Sequence, residues 1–518
     1  MSKLEIFLTM ASYMALVIGI GVYYAKRANE SSENYFIGGR SLGPWVTAMS
    51  AEASDMSGWL LMGLPGVAYW VGLSDAAWTA IGLLAGTYIN WLIVAKRLHG
   101  YSIVAGNSIT IPDFFSNRYK EKNKVIMTIA AAFILVFFTV YASSCFVTVG
   151  KLFSTLFGFS YQSMMIAGAI FVVVYTFLGG FLAESASDFM QGVVMFLALL
   201  VILVTSVVYA GGLPAVMENI KDIPGFLSFF GIATPDVADG VQKLSQNGSP
   251  LFNEAGTYGF LTILSTLSWG LGYFGVPQVL LRFMAIRKQS ELNQSRRIAT
   301  IWCCISLTAA VFIGLIGRSI YPDVLLTKSD AESIFITMST NLLPSVLAGL
   351  VMAGILAATI SSSDSYLLIA ASAFSKNIFQ GILKKSATDK EVMKVSRIIL
   401  ISIAVVGAII ALDEKSIIFT IVSFAWAGFG ATFGPIMLFS LFWKRTTREG
   451  AIAGLLTGGI AVFIWKLFIK PMGGIFGIYE LLPAFILSAV AILVVSLLTK
   501  EPSDEIQKEY DRAKDYRD

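Results

Sequence analysis

The sequence predicts an all-α polytopic membrane protein of about thirteen transmembrane helices, and three observations carry that prediction. Only 14% of the residues are charged against 56% hydrophobic, with a mean hydropathy of +0.74, whereas soluble domains are about a quarter charged. The apolar residues fall in runs of about twenty, the length a helix needs to cross a hydrocarbon core of about 30 Å. Each run is continuously apolar, where the strands of a membrane barrel would alternate.

In order, the runs lie near 5–25, 42–70, 76–95, 125–150, 159–179, 189–211, 258–281, 298–320, 345–375, 396–412, 417–442, 449–468 and 477–499. The positive residues of the first, Lys26 and Arg27, follow its apolar stretch, so it reads as an anchor with the N-terminus outside and not as a cleaved signal. An odd number of spans then places the C-terminus in the cytoplasm. With that orientation 28 of the 37 Lys and Arg, Arg282 among them, fall on the inner side, as the positive-inside rule requires. The net charge of +4 reflects this asymmetry and implies no nucleic-acid partner.

Cys145, Cys303 and Cys304 fall within spans and read as packing residues. His99, beside Lys96 and Arg97, sits at a helix exit. Three connections are long: 97–124, 212–257 and 376–395. The second carries Glu218, Asp222, Asp236, Asp239 and Glu254 and reads as an outer lid. The tail, 500–518, alternates acids with bases and reads as a solvated extension. No connection could hold an ATPase domain and no Walker-type glycine loop is present, so no organic cofactor, enzyme activity or obligatory protein partner is expected.

Two spans are interrupted. In span two the sequence turns polar and flexible at Ala53, Ser54, Asp55, Met56, Ser57 and Gly58, where a membrane helix is normally most apolar. A carboxylate at that depth costs about 2.5–3.5 kcal/mol on insertion scales, which makes Asp55 a site residue. Span seven contains Trp269, Gly270, Gly272, Tyr273, Gly275 and Pro277, again weakening a helix at mid-membrane. Broken helices five spans apart indicate two five-helix halves, the second inverted, in a secondary transporter with its site at the midplane. Carbonyls freed by unwinding favour a cation, and half-helix N-termini favour anions.

Span nine adds Ala358, Ser361, Ser362 and Ser365 at i, i+3, i+4 and i+7, one helical face. Their hydroxyls either ligate a hard cation or bond to their own backbone and to neighbouring helices.

The run Gly38, Gly39, Arg40, Ser41, Leu42, Gly43, Pro44, the stretch from Ser54 through Asp55, Ser57, Gly58 and Trp59 to Gly66, the span-seven break, and Phe424, Ala425, Trp426, Ala427, Gly428, Phe429, Gly430 together resemble the sodium/solute symporter family, in its proline-carrying branch. The resemblance implies a leucine-transporter-type fold in one domain, 1–500, with an extra N-terminal helix at 5–25, inverted repeats at 42–211 and 258–442, two C-terminal helices at 449–499 and a cytosolic tail at 501–518. It implies sodium held by the carbonyls of Ala53, Met56 and Ala358 and the hydroxyls of Ser361 and Ser362, with Asp55 in coupling. Ser57 and Gly58 would join ion to substrate, and proline would lie against Tyr141, Trp269, Tyr273 and Pro277. Arg40 is either an inner-gate residue or an interfacial anchor.

Two positions depart from the pattern: Glu52 adds a carboxylate before Asp55, and Asp364 stands among the serines. In a two-sodium variant, Asp188 with Ser361 and Ser365 would hold the second ion. Among solutes, pantothenate or a short carboxylate is the alternative to proline. The expected location is the plasma membrane of a bacterial cell.

Overall fold

A computed structural model describes residues 2–28 and 32–517; the side chains of Lys26 and Arg27 lie outside what it describes. The helices are α1 (Lys3–Ala28), α2 (Pro44–Asp55), α3 (Trp59–Val71), α4 (Leu73–Val104), α5 (Val125–Phe157), α6 (Tyr161–Phe177), α7 (Gly180–Tyr209), α8 (Phe260–Phe274), α9 (Pro277–Ala285), α10 (Leu292–Ile320), α11 (Ser345–Leu383), α12 (Asp389–Ile410), α13 (Ile418–Phe442), α14 (Arg448–Met472), α15 (Leu481–Leu498) and α16 (Asp504–Lys514). Ten of these are long and apolar enough to cross a membrane among the described residues. The other three sequence-derived spans coincide with shorter pieces: α6, the pair α2 and α3, and the pair α8 and α9.

Both expected breaks are present. Helix α2 stops at Asp55, where Met56 leaves helical geometry at φ −84°, ψ 74°. Helix α8 tightens to a 3₁₀ turn over Ser268–Phe274, and Val276 is extended before Pro277 opens α9. Proline suits the first helical position, because its missing N–H would have had no partner there.

Small residues let the broken segments approach their neighbours. A Cβ on Gly82 of α4 would lie 2.6 Å from the Leu267 carbonyl oxygen of α8, and one on Gly86 would collide with Gly270. Helix α11 is buried almost throughout between α1, α2, α5 and α7. Its apolar and hydroxyl side chains can therefore surround it on all sides, the pattern of a helix at the centre of a bundle.

Span six begins at Gly180, nine residues earlier than expected, at a glycine with φ 52° and ψ −161° that turns the chain out of α6. Glu184, Ser185 and Ser187 fall outside the sequence-derived spans because they are polar, yet they and Asp188 are buried inside the bundle. The connection 212–257, read as a lid, holds two short antiparallel ladders, Gly231–Ile232 with Gly256–Thr257 and Val237–Ala238 with Val241–Gln242.

The tail is not a solvated extension. Helix α16 docks with Glu509, Tyr510 and Ala513 buried. Lys120 reaches Glu509 at 2.5 Å, Lys444 reaches Asp511 at 2.6 Å, and the Arg118 guanidinium lies 5.4 Å from the Tyr510 ring. The alternating charge carries a faint helical pattern but does not reveal the docking, because the partners are bases on distant connections.

Candidate functional site

The break in α2 frees carbonyls that face α11. The Ser361 hydroxyl donates to the Ala53 carbonyl at 2.7 Å and lies 3.3 Å from the Ala358 carbonyl, while Ser362 donates to the same Ala53 oxygen at 3.3 Å. Four hard oxygens from two helices thus meet at one point, all fully buried. A monovalent cation arriving there would turn the serine O–H groups outward and take their lone pairs. The C-terminal end of α2 adds its partial negative charge, about half an electron. Met56, the remaining member of the expected set, closes its own helix by donating its N–H to the Glu52 carbonyl at 2.8 Å.

The Asp55 carboxylate points elsewhere. Its Oδ2 accepts from the Tyr273 hydroxyl at 2.7 Å and its Oδ1 from the Gln278 amide at 3.4 Å. It therefore bridges one break to the other, at the N-terminal, positive end of α9. The Asp55 carbonyl accepts from Trp59 Nε1 at 3.2 Å and from the Tyr141 hydroxyl at 3.4 Å. The Asp55 carboxylate, expected to act in coupling, thus links the end of α2 to the segment carrying Tyr273 and Gln278.

Tyr141, Trp269 and Tyr273 are gathered on one side of these breaks. Tyr141 packs on Tyr366 at 4.2 Å, and Tyr273 meets Trp426 edge-on at 5.0 Å. Trp269 lines a cavity of about 590 Å³ whose walls also include Ile232, Ile417 and Phe419. Phe419 and Tyr479 flank it at 5.2 and 5.1 Å, and Trp426 donates its indole N–H to the Trp269 carbonyl at 2.8 Å. Pro277 is not with them: it lines a separate small cleft with Ile111, Ile134, Leu281 and Ile369, and serves to start α9.

Ser57 is buried, and its hydroxyl makes no hydrogen bond of normal geometry. Gly58 lies against α5 so closely that a Cβ would strike Thr148, with Thr148 Cγ2 at 2.6 Å. Gly58→Ala should cost about 1–3 kcal/mol by overpacking, seen as a lowered thermal midpoint of the purified protein.

Arg40, away from these breaks, ties its own segment to two others. Its guanidinium donates to the Met284 carbonyl at 2.6 Å, the Ser108 carbonyl at 2.7 Å, Asn107 Oδ1 at 3.0 Å and Ser102 Oγ at 3.1 Å. Beside it the Leu42 N–H donates to the Ala285 carbonyl at 3.2 Å, and the Arg287 N–H to the Leu42 carbonyl at 2.9 Å. The start of α2 is thus laced to the end of α9. Arg40→Ala, losing charged hydrogen bonds that contribute about 1.5–3 kcal/mol each, should raise amide hydrogen exchange across 102–108 and 284–287.

The second-ion expectation meets a different arrangement. Asp188 Oδ2 accepts from the Ser50 hydroxyl at 2.7 Å and from Arg282 Nη2 at 3.2 Å, and Ser365 Oγ lies 2.9 Å from the same nitrogen. Arg282, fully buried, was counted among inner loop charges from the sequence, and Glu184, its ion-pair partner, was not singled out. Of the two departures noted in the sequence, Glu52 accepts from Trp91 Nε1 at 3.4 Å, and Asp364 accepts the Ser365 N–H at 2.8 Å beside the Arg282 group.

A helical bundle with two paired breaks, oxygens converging at one of them, a cavity to one face and a laced seam at the other is the build of a multi-pass secondary transporter. Over residues 35–458 the sequence matches the sodium:solute symporter family, and the chain belongs to it. It is 39% identical over 517 residues to the sodium/proline symporter of Staphylococcus aureus (strain USA300), covering 99% of this chain and 96% of that one, and the symporter of strain JH9 matches at the same identity and coverage.

Its fold is similar to that of a Na⁺-coupled sialic acid symporter in a substrate-bound outward-open state, with a TM-score of 0.76 at 16% identity, covering 96% of this chain and 99% of that one. A nucleobase-cation-symport-1 family transporter, Mhp1, in a closed conformation gives 0.53 at 13% identity, covering 92% and 98%. MhsT in complex with L-phenylalanine gives 0.52 at 14%, covering 87% and 97%. The fold is the leucine-transporter type.

Proposed function

We propose that this chain imports L-proline together with sodium across the plasma membrane by alternating access. The observation that carries the reading is the meeting of the Ala53 and Ala358 carbonyls with the Ser361 and Ser362 hydroxyls at the break in α2. Proline enters through the similarity to sodium/proline symporters over nearly the whole chain. A compact ring suits the Tyr141, Trp269 and Tyr273 walls, and its zwitterionic end suits the unwound backbone beside them.

The repeats run over 42–211 and 258–442, with 5–25 before them and 449–499 after. The lid connection faces outward, and Arg40, the C-terminus and most of the positive charge face the cytoplasm. In that orientation the cavity above Trp269 is the outer vestibule, and the Arg40 seam is the closed inner gate.

Sodium descends the vestibule and draws α11 onto the broken end of α2. Because the Asp55 carboxylate ties that end to Tyr273 and Gln278, the closure is passed to the aromatic walls and proline is gripped. Rocking then parts Leu42 from Ala285 and Arg40 from Met284, and both solutes leave inward. Each charge falling through the membrane supplies about 2.3 kcal/mol per 100 mV. Uptake of labelled proline into proteoliposomes tests the reading: accumulation is expected under an inward sodium gradient and not in choline, with pantothenate failing to compete.

A further inference from the structure

We propose that the Arg282 guanidinium is a tethered cation that fills a second monovalent-ion position, limiting the transporter to one sodium per cycle. The inference goes beyond the proposed function, since it concerns a position the transported ion does not use.

The geometry resembles ion coordination with the ion covalently attached. Nη2 of Arg282 alone faces oxygens from two helices: Glu184 Oε1 in close contact and Asp188 Oδ2 at 3.2 Å from α7, and Ser365 Oγ at 2.9 Å from α11. Nε donates to Ser50 Oγ of α2 at 3.0 Å, and Nη1 to the Gln278 carbonyl of α9 at 3.1 Å. The Phe181 ring closes one side, with the guanidinium carbon 4.9 Å from its centroid. Asp364 completes a set of three carboxyl groups around one buried cation, and Tyr13, Tyr35 and Tyr175 are the other titratable groups facing them.

The acceptors outnumber what the guanidinium uses. Glu184 Oε2, Asp188 Oδ1 and Asp364 Oδ2 are buried and accept no hydrogen bond. Removing one partner of a buried pair strands the other charge in a low-dielectric interior, so this oxygen set needs a cation. Held on α9 by its own side chain, Arg282 meets that need without an ion from the gradient. The position lies one helical turn from the sodium oxygens, because Ser365 also donates to the Ser361 carbonyl at 3.0 Å. A fixed charge there stands where a second sodium would otherwise bind.

The test counts radioactive sodium bound per chain at saturation on purified wild type, Arg282→Gln and Arg282→Lys. The expected result is one ion for wild type, one for Arg282→Lys, which keeps a tethered charge, and one more than wild type for Arg282→Gln, whose thermal midpoint should also rise with NaCl more steeply than that of wild type. Two ions on wild type, or no additional ion on a folded Arg282→Gln protein, overturns the proposal. If Arg282→Gln does not fold, the wild-type and Arg282→Lys counts decide: one ion each supports it, and two on wild type overturns it. The reading is separable from the proposed function, since the difference between variants is scored even for a chain that carries a solute other than proline.

Discussion

Ser361→Ala is expected to raise the sodium concentration for half-maximal proline uptake by about ten- to a hundred-fold. The Ser361 hydroxyl is the oxygen nearest the Ala53 carbonyl and also contacts Ala358, so it joins the broken end of α2 to α11. A polar contact to a charged group contributes about 1.5–3 kcal/mol, and each 1.4 kcal/mol is a factor of ten. The protein should fold normally, since alanine leaves only a small gap and Ser362 still bonds to Ala53. Maximal uptake at saturating sodium should change little. Sodium titration of uptake in proteoliposomes reads the shift, and an unchanged half-saturation would place the ion elsewhere.

The second large effect belongs to Asp55→Ala. This carboxylate accepts from Tyr273 and Gln278 across the two breaks, so its removal leaves a buried phenol and a buried amide without their partner. Breaking such a link costs about 2–4 kcal/mol. The greater loss is functional, because ion binding at α2 would no longer be passed to the Tyr273 wall. Uptake at physiological sodium should fall by about a hundred-fold or more. Tyr273→Phe, which removes one of the two bonds and keeps the ring, should show an intermediate loss. Equal uptake by wild type and Asp55→Ala would contradict the coupling route.

Much of the fold was legible in the sequence because the membrane imposes simple rules. Continuous apolar runs located the helices, and polar or glycine-rich interruptions at Asp55 and at Gly270 to Pro277 located both breaks. The serine spacing on α11 puts Ser361 and Ser362 on one side of the helix, and both reach the Ala53 carbonyl. What was not legible depended on long-range contacts. Hydropathy treats Glu184, Asp188 and Arg282 as exposed charges, yet each is buried because the others are, and a pairing between α7 and α9 leaves no local trace. The sequence marks Asp55 as a site residue but does not tell that its carboxylate meets Tyr273 and Gln278, for spacing cannot tell which neighbour a side chain meets.

Pro277, which the resemblance groups with Tyr273, follows the extended Val276 and lines another cleft. Phe419 and Tyr479 line the cavity with Trp269 from two other spans, and Trp59 and Trp426, both within the motifs that carry the family resemblance, pack against Trp269.

The most direct measurement is equilibrium binding of labelled proline to the purified protein at increasing sodium, with choline holding ionic strength constant. If the oxygens of Ala53, Ala358, Ser361 and Ser362 trap an ion that shapes the aromatic pocket through Asp55, proline affinity climbs with sodium and levels off, and the climb moves to higher sodium in Ser361→Ala. Proline affinity that is the same in choline as in sodium contradicts the account.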